Sequence, residues 1–424
     1  MGSRPAHPWV TFTALSLLFF LVSAGTFSTL GVVLPAMVRE LGWNWKQAGL
    51  GYTLLGVTCG LTSIAAAASV RRIGVRGTLL AGGAMLVAGF GALALTHSTL
   101  IYYFATSVIG VAFSFSTTVA GTHVLLGMFK RQSTVIGAYF TIGALGQVAG
   151  PQVYGAIAAI GGWRDFWWAF VVAAALLSLF AAVVTPDRMD VQADAPAGVM
   201  GPAELVDGLG EWTVRRALRT SQFYIVVGAY TMYLLINTTA HGFAVEHLFE
   251  RGIPQAAGRN MLSIEALIGA GISVVGGVLG EKVKPRVLLV ICLVSLIIGM
   301  WALGVAHGYA MMALYAVGVG VGYGLSFVAA TLLLLTYYGR RAYLELYSIM
   351  CLLSTAAAIG PAVGGWARDT TGSFAGVFYL CAAAGGLMLA ATVFMRAPTL
   401  ASRSATAPSA PKETAKPLSA RAPR

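Results

Sequence analysis

Apolar runs of twenty or more residues recur along most of this 424-residue chain. Each is long enough to cross a hydrocarbon layer of roughly 30 Å as a helix. A membrane β-barrel would instead need segments of about ten residues in strict apolar and polar alternation, and that alternation is absent. Composition agrees: 58% of residues are hydrophobic and 10% charged, against roughly 25% charged in a soluble domain. The chain has too little polar surface to sit in water, so the sequence predicts an all-α polytopic membrane protein.

Twelve spans are expected, near 9–37, 48–69, 77–97, 100–128, 134–160 and 165–185, then 223–245, 260–280, 287–306, 309–335, 342–366 and 373–395. Grouped, they give an N-terminal segment 1–8, a first six-helix bundle 9–185, and a middle loop 186–220 with room for one surface helix. A second six-helix bundle, 221–396, and a tail, 397–424, complete the chain. The tail is rich in Ala, Pro, Ser and Lys and is expected to be disordered, since it has little apolar surface to bury. The apolar stretch from Trp9 is too long for a cleaved signal peptide, so the first span is expected to stay as its own insertion signal. Cys59, Cys292, Cys351 and Cys381 all fall inside apolar segments without metal-ligand spacing, which predicts small core residues and no metal site.

Charge sets the expected orientation. Of 27 Lys and Arg, six (Arg39, Lys46, Arg164, Arg251, Arg259 and Arg368) fall on one side of the predicted topology and 21 on the other. The positive-inside rule then places both termini in the cytoplasm of an inner-membrane protein. The same bias accounts for the net charge of +12 as topology determinants near anionic headgroups, so no nucleic-acid partner is expected.

The two halves repeat. Arg72 and Arg76 recur 210 residues later as Lys282 and Arg286. Lys130-Arg131 recurs as Arg340-Arg341 and Gly150-Pro151 as Gly360-Pro361, at the same offset. Trp163-Arg164-Asp165 has its counterpart, slightly shifted, in Trp366-Ala367-Arg368-Asp369. Two six-helix halves related by an axis along the membrane normal suit a transporter whose halves rock about a site between them.

These landmarks resemble the major facilitator superfamily over residues 9–396. The second copy of that family's signature is similar to Gly277-Val-Leu-Gly-Glu281-Lys282-Val-Lys-Pro-Arg286 here; the first, around Arg72, Gly74 and Arg76, has Arg71 where the acid belongs. The resemblance implies that Arg72, Gly74, Arg76, Glu281, Lys282 and Arg286 form a latch holding the outward-facing state. Within the superfamily the chain looks most like the monocarboxylate porter and oxalate:formate antiporter branch. The stretches that carry this are Gly31-Val-Val-Leu-Pro35 with Glu40-Leu-Gly-Trp43, Tyr338-Gly339-Arg340-Arg341, and Gly360-Pro361-Ala-Val-Gly364-Gly365 with Asp369-Thr-Thr-Gly372. That branch commonly carries an intramembrane arginine in its eighth span, and this chain has Glu265 there instead.

Ionisable groups are costly in hydrocarbon and are functional candidates by default. His241 and Glu265 lie 12 residues either side of Ile253, in the loop between the seventh and eighth spans. In a helical hairpin they reach similar depth, and buried carboxyl and imidazole groups can exchange protons near neutral pH. They are the expected proton-coupling pair, with H+ as coupling ion and no other cofactor. The competing reading is a structural pairing of Glu265 with a neighbour such as Arg259, or exposure to water.

Expected substrate contacts are Thr26 and Thr29 in the first span, Thr118 and His123 in the fourth, Tyr230, Tyr233 and Asn237 in the seventh, and Tyr323 and Ser326 in the tenth. Tyr230, Tyr233 and Asn237 recur at three and four residues and share one helix face; the alternative for each of these groups is helix packing. Gly146, Gly150 and Pro151, with Gly360 and Pro361, are read as close-contact and kink positions. No nucleophile arrangement, metal cluster or ATP-binding Gly-rich loop is visible, so an enzyme or a primary pump is not expected. The sequence reads as a monomeric secondary active transporter, partnered by the bilayer and a small-molecule solute. The resemblance implies an organic anion such as a monocarboxylate, moved with proton coupling or by exchange. The alternative is proton-antiport efflux of a hydrophobic compound.

Overall fold

The computed structural model describes residues 7–129, 132–186, 212–280 and 282–398. Lys130, Arg131, most of the middle loop, Glu281 and the tail from 399 onward lie outside the described residues. All regular structure among the described residues is helical.

The first span is α1 (Pro8–Gly25) and α2 (Phe27–Leu41), joined at Thr26, whose φ of −105° and ψ of −127° interrupt the helix. α3 (Trp45–Ala94) runs 50 residues, about 75 Å if straight, which no bilayer accommodates. It reverses at Gly74, where φ 77° and ψ 173° is a conformation reserved for glycine. Ser69 and Thr78 hydroxyls consequently meet at 3.0 Å, whereas nine residues of straight helix would set them about 13 Å apart. The fourth span is α4 (Thr99–Phe113), one π turn over Ser114–Thr118, and α5 (Val119–Met128). α6 (Gln132–Ala158) and α7 (Trp163–Val184) complete the first bundle.

The short α8 (Val214–Ala217) leads into the second bundle of α9 (Ser221–Glu250), α10 (Gln255–Leu279) and α11 (Pro285–Val305). α12 (Tyr309–Ser354) is a second merged hairpin, turning at Gly339 (φ 74°, ψ 174°) so that the rings of Phe327 and Tyr347 come within 5.9 Å. A 3-10 turn, Thr355–Ile359, α13 (Gly360–Thr371) and α14 (Ala375–Phe394) follow. Ten stretches among the described residues are long and apolar enough to cross a membrane, with α3 counted once. The second arm of α3 and the more polar α6 bring the crossings to twelve.

α9 extends past the apolar run that predicts it, and the polar residues at its end find partners. Glu246 meets Arg39 at 3.0 Å, and His247 Nε2 lies 3.0 Å from the Leu303 carbonyl oxygen.

The 210-residue repeat reappears as repeated punctuation. Gly42, at φ 67°, caps α2, and Gly252, at φ 83°, follows α9 at the same offset. Glu40 pairs with Arg164 in the first half, as Glu250 pairs with Arg368 at 2.8 Å in the second. Arg76 donates to the carbonyls of Val183 and Thr185 at the end of α7. Arg286 does the same to Thr392 and Val393 at the end of α14. These guanidinium groups satisfy carbonyls that a helix C-terminus leaves without partners and complement its dipole.

Without a hydrophobic driving force in lipid, such bundles rely on close backbone approach at small residues. At Gly146 and Gly150 a side chain would overlap the carbonyls of Phe20 and Ala24, so α6 lies directly on α1. Gly360 similarly seats α13 on α9 at Thr239. α6 remains one continuous helix through Pro151, while Pro361 occupies the first turn of α13, just after the 3-10 turn.

Candidate functional site, a chamber between the two halves

The halves meet tightly at the end marked by Gly42, Gly252 and Gly372. Gly31 of α2 lies against the backbone of His241 in α9, Gly49 of α3 against the Pro361 carbonyl, and Gly365 of α13 against the Trp45 carbonyl. Charge and polar contacts cross the same seam. Arg39 holds Glu246, and the Asp369 carboxylate accepts the backbone N–H groups of Trp45 at 3.0 Å and Lys46 at 2.7 Å. Gln152 donates to Asn260 and Ser263, and Ser263 donates to the Val148 carbonyl at 2.7 Å. Trp45 adds ring contacts with Phe243 and Phe374, 6.0 and 5.1 Å between centroids.

These close approaches continue inward as far as Gly56 against Ala358 and Gly60 against Thr355. Apolar packing follows the same division. One buried cluster joins the first half to the second at the closed end, whereas Phe223, Leu333, Tyr338, Leu346 and Met395 belong to a separate cluster confined to the second half. Among the described residues, the close approaches between the halves thus gather at one end and are not seen at the Gly74 and Gly339 end.

Just inside the clasp lies a buried ionisable cluster. His241 Nε2 is 3.2 Å from Glu265 Oε1, with both side chains essentially inaccessible. The angles fall outside hydrogen-bond geometry, so neither ring nitrogen of His241 has a hydrogen-bond partner among the described residues. The other carboxylate oxygen accepts the Tyr315 hydroxyl at 2.5 Å. The α10 and α12 backbones come close enough for this because Gly320 sits on the Glu265 carbonyl and Gly324 on that of Gly269. The two residues that the depth argument from Ile253 sets level do meet. Arg259 is elsewhere, with its guanidinium packed over Gly155.

One helical turn deeper, α9 carries a continuous stripe of Tyr230, Tyr233 and Asn237 on the face of His241. Tyr233 stacks on Tyr323 with ring planes 5° apart and centroids 6.0 Å apart, and Tyr230 lies 5.8 Å from Tyr233. Asn237 stands between Tyr233 and His241 on the same face; it is half-buried and its carboxamide makes no hydrogen bond among the described residues. The opposite helix faces are occupied by Ile236 against Gly385 and Thr239 against Gly360. From the first half, Gln147 lies within reach of the Tyr323 hydroxyl and accepts weakly from Ser28 at 3.5 Å. Phe27 and Phe113, also half-buried, sit 6.0 Å apart in an edge-on pair.

The remaining expected contacts are distributed differently. Thr26 is buried at the break between α1 and α2, and Thr29 is buried against Gly150, between helices. Thr118 ends the π turn and accepts the Thr122 hydroxyl, while His123 is half-buried in α5. Ser326 is buried and donates to the Tyr323 carbonyl at 2.9 Å. The expected latch does not bridge the halves here. Arg76 and Arg286 bond within their own halves, and Arg72 and Lys282 are exposed. Gly74 is the hairpin turn itself, and Glu281 lies outside the described residues.

Sequence reasoning missed Tyr315, Gln147, Phe27 and Phe113. Phe27 and Phe113 were within reach, since the 210-residue offset maps them onto Asn237 and Tyr323. Tyr315 carries no such signal.

The sequence model of the Major Facilitator Superfamily matches residues 15–350 and 242–423. No curated protein sequence matches the chain. Among solved structures, the crystal structure of the nucleoside transporter NupG is similar at 12% identity, covering 91% of this chain and 99% of that one, with a TM-score of 0.75. A POT family transporter in complex with 5-aminolevulinic acid is similar at 11% identity, covering 90% and 95%, with a TM-score of 0.72. At such identities the likeness concerns the fold.

Proposed function

The chain belongs to the Major Facilitator Superfamily, a family of small-solute transporters, and on that premise we propose that it is a proton-coupled secondary transporter working by alternating access. The observation that carries the proton is the buried His241, Glu265 and Tyr315 cluster at the floor of the clasp. A carboxyl and an imidazole at 3.2 Å hold or release one proton between them, and burial makes their charge state matter to the energy of closing. Because the cluster lies beside the Gly31 and His241 backbone contact, protonation is tied to the position of the two halves. With both termini cytoplasmic in an inner membrane, the conformation described here is inward-facing.

The resemblance to the monocarboxylate and oxalate branch favours a small organic anion as solute. One structural observation favours a different solute. Every described Lys and Arg lies in a loop or within two turns of a helix end or break, so among the described residues no fixed cation stands at mid-helix to meet a carboxylate.

Proton coupling is tested with Glu265→Gln in proteoliposomes. The variant is expected to lose accumulation driven by a pH gradient while keeping solute counterflow. Normal accumulation in the variant would sink the assignment.

A further inference from the structure

The chamber's two walls are chemically matched to one kind of solute. In the second half, Tyr233 and Tyr323 form a parallel pair, with Tyr230 beside them. In the first half, Phe27 and Phe113 form an aromatic pair at the positions that the 210-residue repeat relates to Asn237 and Tyr323. Aromatic pairs from both halves therefore stand on the helices that the repeat relates. Planar rings are the solutes that gain most from such walls, through offset stacking and edge-on contact.

The polar groups on the same walls are carboxamides. Asn237 is half-buried in mid-helix, in the stripe between Tyr233 and His241, with no hydrogen-bond partner among the described residues. A polar side chain inside a membrane span that no protein group engages is free to bond a solute. Gln147 approaches from the other half, within reach of the Tyr323 hydroxyl and 3.5 Å from Ser28. A carboxamide presents one donor and one acceptor side by side. It pairs best with a solute edge carrying the complementary acceptor and donor, as Asn and Gln do with the edge of a heteroaromatic ring.

Charge argues in the same direction. Among the described residues the site has aromatic rings, amides and hydroxyls, and the ionisable groups beside them are the buried His241 and Glu265, the latter bonded by Tyr315. An anion held there would be desolvated without a cationic partner, at a cost that stacking does not recover.

From these observations we infer that the solute is an uncharged planar heteroaromatic compound with an amide-like donor and acceptor edge, stacked between the two aromatic walls and read by Asn237 and Gln147. The inference rests on the chamber being the solute site of a transporter and is independent of the proton assignment. Binding read at equilibrium without a pH gradient separates the two, because failure of the Glu265→Gln test leaves this measurement intact.

The experiment uses the purified full chain in detergent, with radiolabelled uracil and hypoxanthine as planar lactam probes and 2-pyridone, benzoate, oxalate and acetate as competitors. Saturable lactam binding is expected, displaced by 2-pyridone, with benzoate weaker by roughly tenfold or more because its charge is left unpaired. Oxalate and acetate should not compete. Asn237→Leu should weaken lactam binding by at least about fivefold, and Tyr323→Leu should weaken it more than Tyr323→Phe, which keeps the ring. Monodisperse elution of each variant serves as the folding control. Tighter binding of benzoate, oxalate or acetate, no binding of either lactam, or unchanged affinity in a monodisperse Asn237→Leu variant would each overturn the inference.

Discussion

The contact between Asp369 and the start of α3 should set how long the transporter stays in the conformation described here. Asp369 sits near the end of α13 in the second half, yet its two carboxylate oxygens accept the N–H groups of Trp45 and Lys46 in the first half. Those N–H groups belong to the first turn of α3, where the backbone leaves donors unsatisfied and the helix dipole favours negative charge. Asn44 already caps the same helix through the Gln47 N–H at 2.8 Å, so α3 itself survives loss of Asp369. What is lost is a bond between halves, and only in the state where the halves meet. A capping interaction is worth about 1 kcal/mol, in a range of roughly 0.5–2, and the site is exposed at its edge. Two such bonds give about 1–2 kcal/mol, so Asp369→Ala should move the equilibrium about five- to thirtyfold toward the state open at this end. Spin labels at Ile160→Cys and Ala256→Cys, in a background lacking the four native cysteines, read that opening as a distance distribution by pulsed electron resonance. The longer-distance population should rise in Asp369→Ala and by less in Asp369→Asn, whose amide oxygen still accepts one N–H. An unchanged distribution in Asp369→Ala would refute the reasoning, since it would mean that the contact forms without biasing the states.

Two further outcomes follow from the close approaches and the repeat. Gly49→Ala places a methyl group into the Pro361 carbonyl across the seam, so it should populate the opened state in the same distance measurement and reduce transport severely without lowering expression. Arg76→Ala and Arg286→Ala each remove donors from the carbonyls ending α7 and α14. Each should lower stability by about 0.5–1 kcal/mol, seen as small and similar drops in thermal midpoint; a loss confined to one variant would show that the two sites are not equivalent.

The architecture was legible because apolar length and charge bias are long-range, redundant signals. Twelve crossings could be counted although α3 and α12 run through their turns at Gly74 and Gly339 with no intervening loop, because the basic residues beside each glycine mark the turn. Span ends were less legible. Glu246 and His247 look like loop residues by hydropathy and are helical because Arg39 and the Leu303 carbonyl meet them, contacts that a single sequence does not display. The pairing of His241 with Glu265 followed from helical rise on either side of a known turn. Placing Tyr315 against the same carboxylate needs the crossing angle of α10 and α12, which depends on Gly320 and Gly324. Thr26 and Thr29 have the composition of a cavity lining, but composition does not say which face of the first span turns toward α6.

The repeat also explains why the chemistry is lopsided. At the 210-residue offset, His241 corresponds to Gly31, Glu265 to Leu55 and Tyr315 to Ala105. Every member of the buried ionisable cluster thus has a small or apolar equivalent in the first half. This is more than absence, because Gly31 is the residue that meets the His241 backbone. The pseudo-symmetry axis passes between equivalent positions that have diverged into an ionisable side chain and a bare backbone. A second histidine at Gly31 would collide with the first at the seam and prevent closure. A side-chain-free surface there lets the halves close directly over the buried His241 and Glu265 pair. Symmetry supplies the two halves, and its local loss leaves the ionisable groups in one and the backbone that covers them in the other. On the proposed proton coupling, no wire between distant sites is needed, because the proton-binding group and the seam would be the same few residues.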